Sequence, residues 1–209
     1  EQLLLETDID NEELYQAGIL LRKIDRTPLN RYITFPMYNQ YDEVIGFSGR
    51  PPLSNKEVKR LNLKKYWHSK IDKRRYLFGL NKAKQAIRER GFVIVAEGQF
   101  DTIIASQYGI KNIISTCGTA LTAEQVILLA RYTDTAYVVF DNDKAGKAAF
   151  EQLKKYEMSE IKFIPIFLPD STNDAGEPIK EDPDSYIRKH GPEAFMECLN
   201  GFSSSSEGE

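Results

Sequence analysis

Cysteine and histidine are scarce in this chain, and long apolar runs are missing. The 209 residues include two cysteines and two histidines. Cys117 and Cys198 lie far apart and outside any C-x-x-C pair, which argues against a disulfide framework and against a cysteine zinc site. No apolar run approaches the roughly 18 residues that a membrane span needs, and no secretory signal opens the chain. We therefore predict a soluble, cytoplasmic protein with no membrane partner.

A strong net charge is also missing, but the charges are unevenly distributed. The formal net charge is -3 at pH 7. Residues 46–90 nevertheless hold 14 Lys and Arg against 3 Asp and Glu, while the segments on both sides are acidic. Such a concentration of basic residues is typical of a surface that binds a polyanion, although a solvated lysine-rich surface would give the same count. The aromatic residues within it could stack on bases or belong to the core.

Strands and helices alternate along the second half of the chain. Apolar runs predict strands at 92–96, 112–115, 136–140 and 162–168, separated by helices at 100–108, 126–132 and 145–156. This alternation is typical of parallel β-α-β units. The remaining predicted elements are a helix at 11–22, a hairpin of strands 31–38 and 43–49, a helix at 81–90, a polar loop at 170–183 and two short helices that are split at Gly191-Pro192.

Acidic residues follow three of the predicted strands. They are Glu97 and Asp101 after the first strand, Asp141 and Asp143 after the third, and Asp182 and Asp184 in the loop after the fourth. Carboxylates that converge at one sheet edge repel one another, and a hard cation with oxygen ligands offsets that repulsion. Any single acid could instead cap a helix or interact with its dipole. Three clusters at three strand ends favour a site for Mg²⁺ or Mn²⁺.

Other chemistries fit these residues less well. His68 and His190 are far from the acids in sequence, which disfavours a zinc hydrolase. Cys117 has no histidine nearby to activate it as a nucleophile. A phosphatase that forms an aspartyl-phosphate would normally carry Thr or Val two residues after its second Asp, where this chain has Ala145. A pair of divalent ions that supports phosphoryl transfer is the interpretation that remains.

Two motifs resemble those of the Toprim domain: Glu-Gly-x-x-Asp after one strand, and Asp-x-Asp-x-Ala-Gly after a later strand. Primases, topoisomerases, some nucleases and recombination mediators share this domain. The flanking motifs make the chain similar to bacterial replicative DNA primases of the DnaG type; they lie at 31–36, 44–50, 65–69, 73–79, 115–122 and 182–184. Trp67 and His68 depart from the family's Leu and Asn.

The resemblance implies an α/β Toprim fold, mainly a parallel sheet flanked by helices, preceded by part of a small mixed α/β basic subdomain. We expect the basic, template-binding subdomain at 1–88, the Toprim catalytic domain at 89–200 and a disordered tail at 201–209. The implied activity is the synthesis of short RNA primers on single-stranded DNA from ribonucleoside triphosphates, with two or more Mg²⁺ or Mn²⁺ ions. A Toprim nuclease and an inactive nucleic-acid-binding module are the alternatives.

The resemblance also assigns roles to single residues. Catalytic roles fall to Glu97, Asp141 and Asp143. The metal ligands implied are these three together with Asp101, Asp182 and Asp184. The implied nucleotide- and template-binding residues are Arg31, Arg50, Lys65, Lys73 and Lys144. The family's N-terminal zinc domain and C-terminal helicase-interaction domain are absent from this sequence. We therefore expect a fragment that binds no zinc and whose parent contacts the replicative helicase through a missing domain.

Overall fold

The computed structural model describes residue 12 and residues 32–118, 120–140, 144–153, 161–172, 178–179 and 181–203. Apart from residue 12, the predicted helix at 11–22 lies outside these residues. The chain divides into two compact units, Glu1–Asp72 and Lys73–Glu209. No helix within the described residues is long and apolar enough to cross a membrane.

An antiparallel sheet of three strands forms the first unit. Its order is β1 (Ile33–Tyr38), β2 (Val44–Arg50) and β3 (Trp67–His68). The predicted hairpin is present, because β1 and β2 pair directly from Ile33 opposite Arg50. The Asn39 side chain closes the turn, where its Oδ1 accepts the backbone N–H groups of Tyr41 at 2.9 Å and Glu43 at 3.1 Å.

A short helix in the first unit was not predicted. This helix, α1 (Asn55–Arg60), begins with a capping box. The Ser54 hydroxyl accepts the Glu57 N–H at 3.3 Å, and the Glu57 carboxylate accepts the Ser54 N–H at 2.9 Å. The Ser-x-x-Glu pattern of such a box is visible in the sequence, so the signal for α1 was present and was overlooked.

A four-stranded parallel sheet forms the second unit. Its spatial order is β5 (Ile113–Ser115), β4 (Val93–Ala96), β6 (Thr135–Phe140) and β7 (Lys162–Phe167), and every neighbouring pair is parallel. The helices are α2 (Leu80–Arg90), α3 (Gln99–Gln107), α4 (Ala123–Leu129), α5 (Lys144–Leu153) and α6 (Pro183–Ser203). The predicted fold class, a parallel sheet flanked by helices, is confirmed.

Both faces of this sheet are covered. On one face Leu80 and Ile87 of α2 and Leu129 of α4 pack against alternate strand residues. On the other face Ala105 of α3 and Phe195 of α6 pack against the remaining strand residues. Burial on both faces explains why the strands are continuous apolar runs in the sequence.

The structure differs from the sequence prediction at three places. The division of the structure at 72/73 lies upstream of the expected 88/89, because α2 buries its apolar face in the core of the second unit. A two-stranded ribbon, β8 (Ser171–Thr172) and β9 (Pro178–Ile179), lies within the predicted loop. Helix α6 is interrupted at Gly191, as predicted, but continues to Ser203. Residues 201–203 of the predicted tail continue the helix, and residues 204–209 lie outside the described residues.

Candidate active site

The loops that follow β4 and β5 meet at the carboxyl end of the parallel sheet. The Ala96 carbonyl accepts the Thr116 N–H at 3.2 Å, and the Glu97 carbonyl accepts the Gly118 N–H at 2.9 Å. The Glu97 side chain is exposed. Open α/β sheets bind their ligands at this end of the strands, so Glu97 is placed where a ligand can reach it.

Gly98 and Asp101 fit together closely at the start of α3. The Asp101 Oδ2 accepts the Gly98 N–H at 2.9 Å and so caps the helix. A Cβ atom on residue 98 would lie 2.7 Å from that same oxygen. A side chain at this position would have to displace the Asp101 carboxylate, although the backbone angles of Gly98 are ordinary extended ones.

The other carboxylate oxygen of Asp101 connects two predicted motifs. Asp101 Oδ1 accepts the backbone N–H of Asp184 at 3.2 Å. The Glu-Gly-x-x-Asp motif after β4 and the Asp-Pro-Asp segment at the start of α6 are therefore in direct contact. The Asp101 carboxylate therefore lies beside the backbone of Asp184.

Asp101 is the buried acid of the site, with 7% of its surface exposed. Burial, together with the nearby carboxylates of Asp182 and Asp184, raises the pKa of Asp101 to about 7. The two backbone N–H groups that it accepts act in the opposite direction. A buried carboxylate that faces two others is the chemistry a hard divalent cation satisfies, since the cation offsets both the desolvation and the repulsion.

Asp182 and Asp184 also have structural partners. Asp182 caps α6, because its Oδ1 accepts the Ser185 N–H at 2.8 Å. Asp184 accepts a hydrogen bond from the Arg188 guanidinium one turn along the same helix. Asp182 therefore acts as a helix cap, as Asp101 does at the start of α3.

The remaining carboxylates cannot be placed. Asp141 and Asp143 lie outside the described residues. Within the described part of the chain, no group of three or more His, Cys, Asp or Glu side chains is arranged to hold a metal ion. Of the predicted ligands, the structure describes Glu97, Asp101, Asp182 and Asp184, and among these four Asp101 is the buried one.

Two of the predicted basic residues that the structure describes lie in the first unit. The Arg50 guanidinium stands 5.6 Å from the centroid of the Tyr66 ring and donates to the Tyr66 hydroxyl at 3.3 Å. Lys65, the neighbour of Tyr66 in the chain, is exposed. Arg31 lies outside the described residues. Arg50 and Tyr66 form a cation–π pair, so the Tyr66 ring orients the Arg50 guanidinium.

Lys73 lies in the second unit, close to the acidic end of the sheet. Its Nζ donates to the Cys117 carbonyl at 3.4 Å, and the next residue, Gly118, is bonded to Glu97. Lys73 is therefore a cation beside the loop that contacts Glu97. Lys144 is the first residue of α5, and its side chain lies outside the described part of the structure.

Two family models match the chain. The model described as "DNA primase catalytic core, N-terminal domain" covers residues 1–84, and one described as "Toprim-like" covers residues 94–179. A DNA primase of Aquifex aeolicus is 31% identical over 96% of the chain, and one of Clostridium acetobutylicum is 37% identical over 90% of it. The chain belongs to the DNA primase family. It spans 38% and 30% of the lengths of those two primases.

Solved primase structures have the same fold. A crystal structure of the Aquifex aeolicus primase, with zinc-binding and RNA polymerase domains, superposes with a TM-score of 0.80 at 31% identity. The superposition covers 96% of this chain and 48% of the Aquifex aeolicus chain. A DnaG primase catalytic domain bound to single-stranded DNA gives a TM-score of 0.77 at 30% identity, over 96% of this chain and 61% of its own.

One buried residue, Gln125, contacts the segment that carries Lys73. Gln125 forms a capping box with Thr122 at the start of α4. Its amide also donates to the carbonyls of Lys73 and Tyr76. No periodic pattern marks a hydrogen bond between residues so far apart in sequence, so only the structure reveals it.

Proposed function

We propose that this chain carries the metal-dependent site at which a DNA primase joins ribonucleotides into short RNA primers on a single-stranded DNA template. The main support is the contact of Asp101 with Asp184, which joins two acidic motifs at the carboxyl end of the sheet. Lys73 lies beside the same sheet end. Clustered acids with a neighbouring cation suit a nucleotide triphosphate and its metal ions.

The cation would be Mg²⁺ or Mn²⁺, and we infer two or more ions. The ligands would come from the acids of the three motifs: Glu97, Asp101, Asp141, Asp143, Asp182 and Asp184. Bound there, the ions supply positive charge that stabilises phosphate oxygens during nucleotidyl transfer. Asp101 would fix the arrangement of the set, because both of its oxygens are held by backbone N–H groups.

The protein side chains have complementary tasks in the proposed reaction. The 3′-hydroxyl oxygen of one nucleotide forms a bond to the α-phosphorus of the next, and pyrophosphate leaves. Lys73 binds phosphate oxygens of the incoming nucleotide through its ammonium group. The exposed Glu97 carboxylate accepts the proton of the attacking hydroxyl. Asp141 and Asp143 complete the catalytic set of the proposal.

The basic residues of the first unit would bind the template. Lys65 is exposed, and Arg50 is oriented by Tyr66. Both can contact backbone phosphates, so binding would be salt-sensitive and largely independent of sequence. Arg31 and Lys144 are further candidates for nucleic-acid or nucleotide contacts. We place this activity in the cytoplasm, and a contact with the replicative helicase is predicted for a part of the protein beyond this chain.

The proposed function is tested by identifying the products. The chain is incubated with single-stranded DNA, the four ribonucleoside triphosphates and Mg²⁺ or Mn²⁺, and the products are separated on a denaturing gel. The proposal predicts short ribonucleotide products that require the template and the metal. Metal-dependent cleavage of the DNA without new ribonucleotide products would contradict it and would favour the nuclease alternative.

A further inference from the structure

Both ends of the Gln125 amide are occupied inside the second unit. The side chain is fully buried, with 0% exposure. Its Oε1 accepts the Thr122 N–H at 3.1 Å, which is the capping bond of α4. Its Nε2 donates to the carbonyls of Lys73 at 2.9 Å and Tyr76 at 2.8 Å. The capping box uses the oxygen alone, so both N–H donors serve the segment from residue 73 to 76.

Thr122 holds the same segment at a third carbonyl. Its hydroxyl donates to the Arg74 carbonyl at 2.6 Å and accepts the Gln125 N–H at 3.2 Å. A backbone pair between Phe78 and Ser115, with N–O distances of 2.9 and 3.0 Å, ties down the end of the segment. The start of α4 therefore fixes the backbone that carries Lys73.

The position of this backbone decides where the Lys73 ammonium lies. Within the described residues the ammonium has one hydrogen-bond acceptor, the Cys117 carbonyl at 3.4 Å. A bond of that length is weak and cannot hold a flexible lysine in place alone. The bonds from Gln125 to the Lys73 and Tyr76 carbonyls instead fix the backbone on which the Lys73 side chain stands. Because the ammonium makes a single weak bond to the described residues, its other N–H donors can bind a ligand.

We propose that Gln125 is a positioning residue for the nucleotide, acting through Lys73. The inference rests on the proposed function, in which Lys73 binds nucleotide phosphate. Gln125 is buried and is predicted to touch no substrate. Its loss should therefore weaken nucleotide binding while the chemical step is retained, because the acids of the site are not held by Gln125.

Gln125→Glu separates the two tasks of this side chain. Glutamate at this place in a capping box keeps the oxygen that caps α4. It removes both N–H donors and sets a carboxylate against two carbonyl oxygens. Lys73→Met removes the ammonium and keeps the length of the side chain. Glu124→Gln is the control on the same helix. Glu124 is exposed, and it belongs neither to the proposed active site nor to the contact between Gln125 and residues 73–76.

Primer synthesis is measured as a function of nucleotide concentration for these variants and for the double variant Gln125→Glu/Lys73→Met. We expect Gln125→Glu to raise the KM for nucleotide about tenfold, the size of the loss of one or two buried hydrogen bonds, with kcat within about twofold. The double variant should be no worse than Lys73→Met, because residues that act as a unit are not additive. Glu124→Gln should behave as wild type.

Different results overturn different claims. If Lys73→Met raises the KM and Gln125→Glu does not, or if their effects add, the positioning role is wrong while the role of Lys73 stands. If Lys73→Met leaves the KM unchanged, the proposed nucleotide contact of Lys73 itself is wrong. If Gln125→Glu lowers both kcat and the thermal midpoint but leaves the KM unchanged, the residue has a purely structural role and the proposal is wrong.

A second readout does not need activity. In a Cys198→Ser background, the rate at which iodoacetamide modifies Cys117 reports the position of Lys73, since Lys73 lowers the pKa of that thiol. The proposal predicts that Gln125→Glu, or Gln125→Met if the first variant does not fold, changes this rate by the same factor as Lys73→Met. An unchanged rate in a folded Gln125 variant would contradict it.

Discussion

The buried carboxylate of Asp101 accepts the backbone N–H of Asp184 at 3.2 Å, across 83 residues of chain. Its second oxygen accepts the N–H of Gly98 at 2.9 Å. One side chain thereby joins the first turns of α3 and α6, and both helices begin at the carboxyl end of the sheet. Asp101 is thus a structural connection and a candidate metal ligand at once.

The first prediction concerns the response of stability to metal. Saturating Mg²⁺ or Mn²⁺ should raise the thermal midpoint by several degrees, since about 100-fold excess over Kd stabilises by about 2.7 kcal/mol, and about 1 kcal/mol corresponds to roughly 2–4 °C in a chain of this size. Asp101→Asn should abolish most of this shift, because an amide is a poor ligand in place of the carboxylate. Differential scanning fluorimetry with and without metal measures it.

Glu89→Gln is the matched control for Asp101→Asn. Glu89 is an exposed acid at the end of α2, where it accepts a hydrogen bond from Gln85. The same loss of one negative charge there should leave the metal-dependent shift intact. A full shift in Asp101→Asn would remove Asp101 from the proposed ligand set.

A second prediction follows from the close approach at Gly98. Gly98→Ala places a methyl group 2.7 Å from Asp101 Oδ2, so the helix cap must move. Overpacking of this kind costs about 1–3 kcal/mol, and we expect primer synthesis to fall with it. Gly91→Ala, at the opposite end of β4, meets no neighbouring atom but is strained by a φ of 75°. It should lower the urea midpoint and leave activity per folded molecule unchanged; equal activities in both variants would contradict the role of Gly98.

Much of the second unit could be predicted from sequence, because its strands are buried on both faces. Such strands are continuous apolar runs, and the intervening helices have about ten residues each. This pattern predicts that the strands run parallel. The ribbon of Ser171–Thr172 with Pro178–Ile179 was not predicted, since two-residue strands have no periodicity. Helix α1 was overlooked although its capping box is present in the sequence.

The site was only partly predictable for a related reason. Acids at strand ends predict convergence, and the structure places Asp101 beside the backbone of Asp184. The sequence cannot distinguish a helix cap from a metal ligand at Asp182, because both uses place an acid at the start of a helix. The hydrogen bond from Gln125 to the Lys73 carbonyl joins residues that are 52 apart in sequence. No local sequence pattern predicts such a contact.

A third prediction concerns the pH dependence of the Cys117 thiol. Burial raises its pKa from 9.0 to about 11. Because the folded value lies above the unfolded one, the stability from the neutral thiol is complete below pH 9 and is lost as the pH rises towards 11. In a Cys198→Ser background, iodoacetamide should therefore modify Cys117 slowly at pH 9 and much faster at pH 11. A rate at pH 9 equal to that of a small free thiol would contradict this prediction.

A fourth prediction concerns binding of the template. Lys65→Gln should weaken binding of single-stranded DNA to a similar extent for all sequences and lower the slope of log K against log salt by about 0.7, the value for one phosphate contact on a single strand. Lys59→Gln is the control, since Lys59 is an exposed lysine in the last turn of α1. Fluorescence anisotropy at several salt concentrations compares them, and identical slopes for both variants would exclude a phosphate contact by Lys65.

The most direct test of the proposed function is primer synthesis by the double variant Asp141→Asn/Asp143→Asn. Product is measured as radiolabelled ribonucleotide incorporated on single-stranded DNA with Mg²⁺ or Mn²⁺, beside wild type and Glu89→Gln. The account predicts template-dependent primers from wild type and Glu89→Gln. In the double variant the rate of primer synthesis should fall at least about 1,000-fold, since removing a single group that stabilises transition-state charge costs other enzymes about 100- to 1,000-fold in kcat. Primer synthesis by the double variant at the wild-type rate would contradict it.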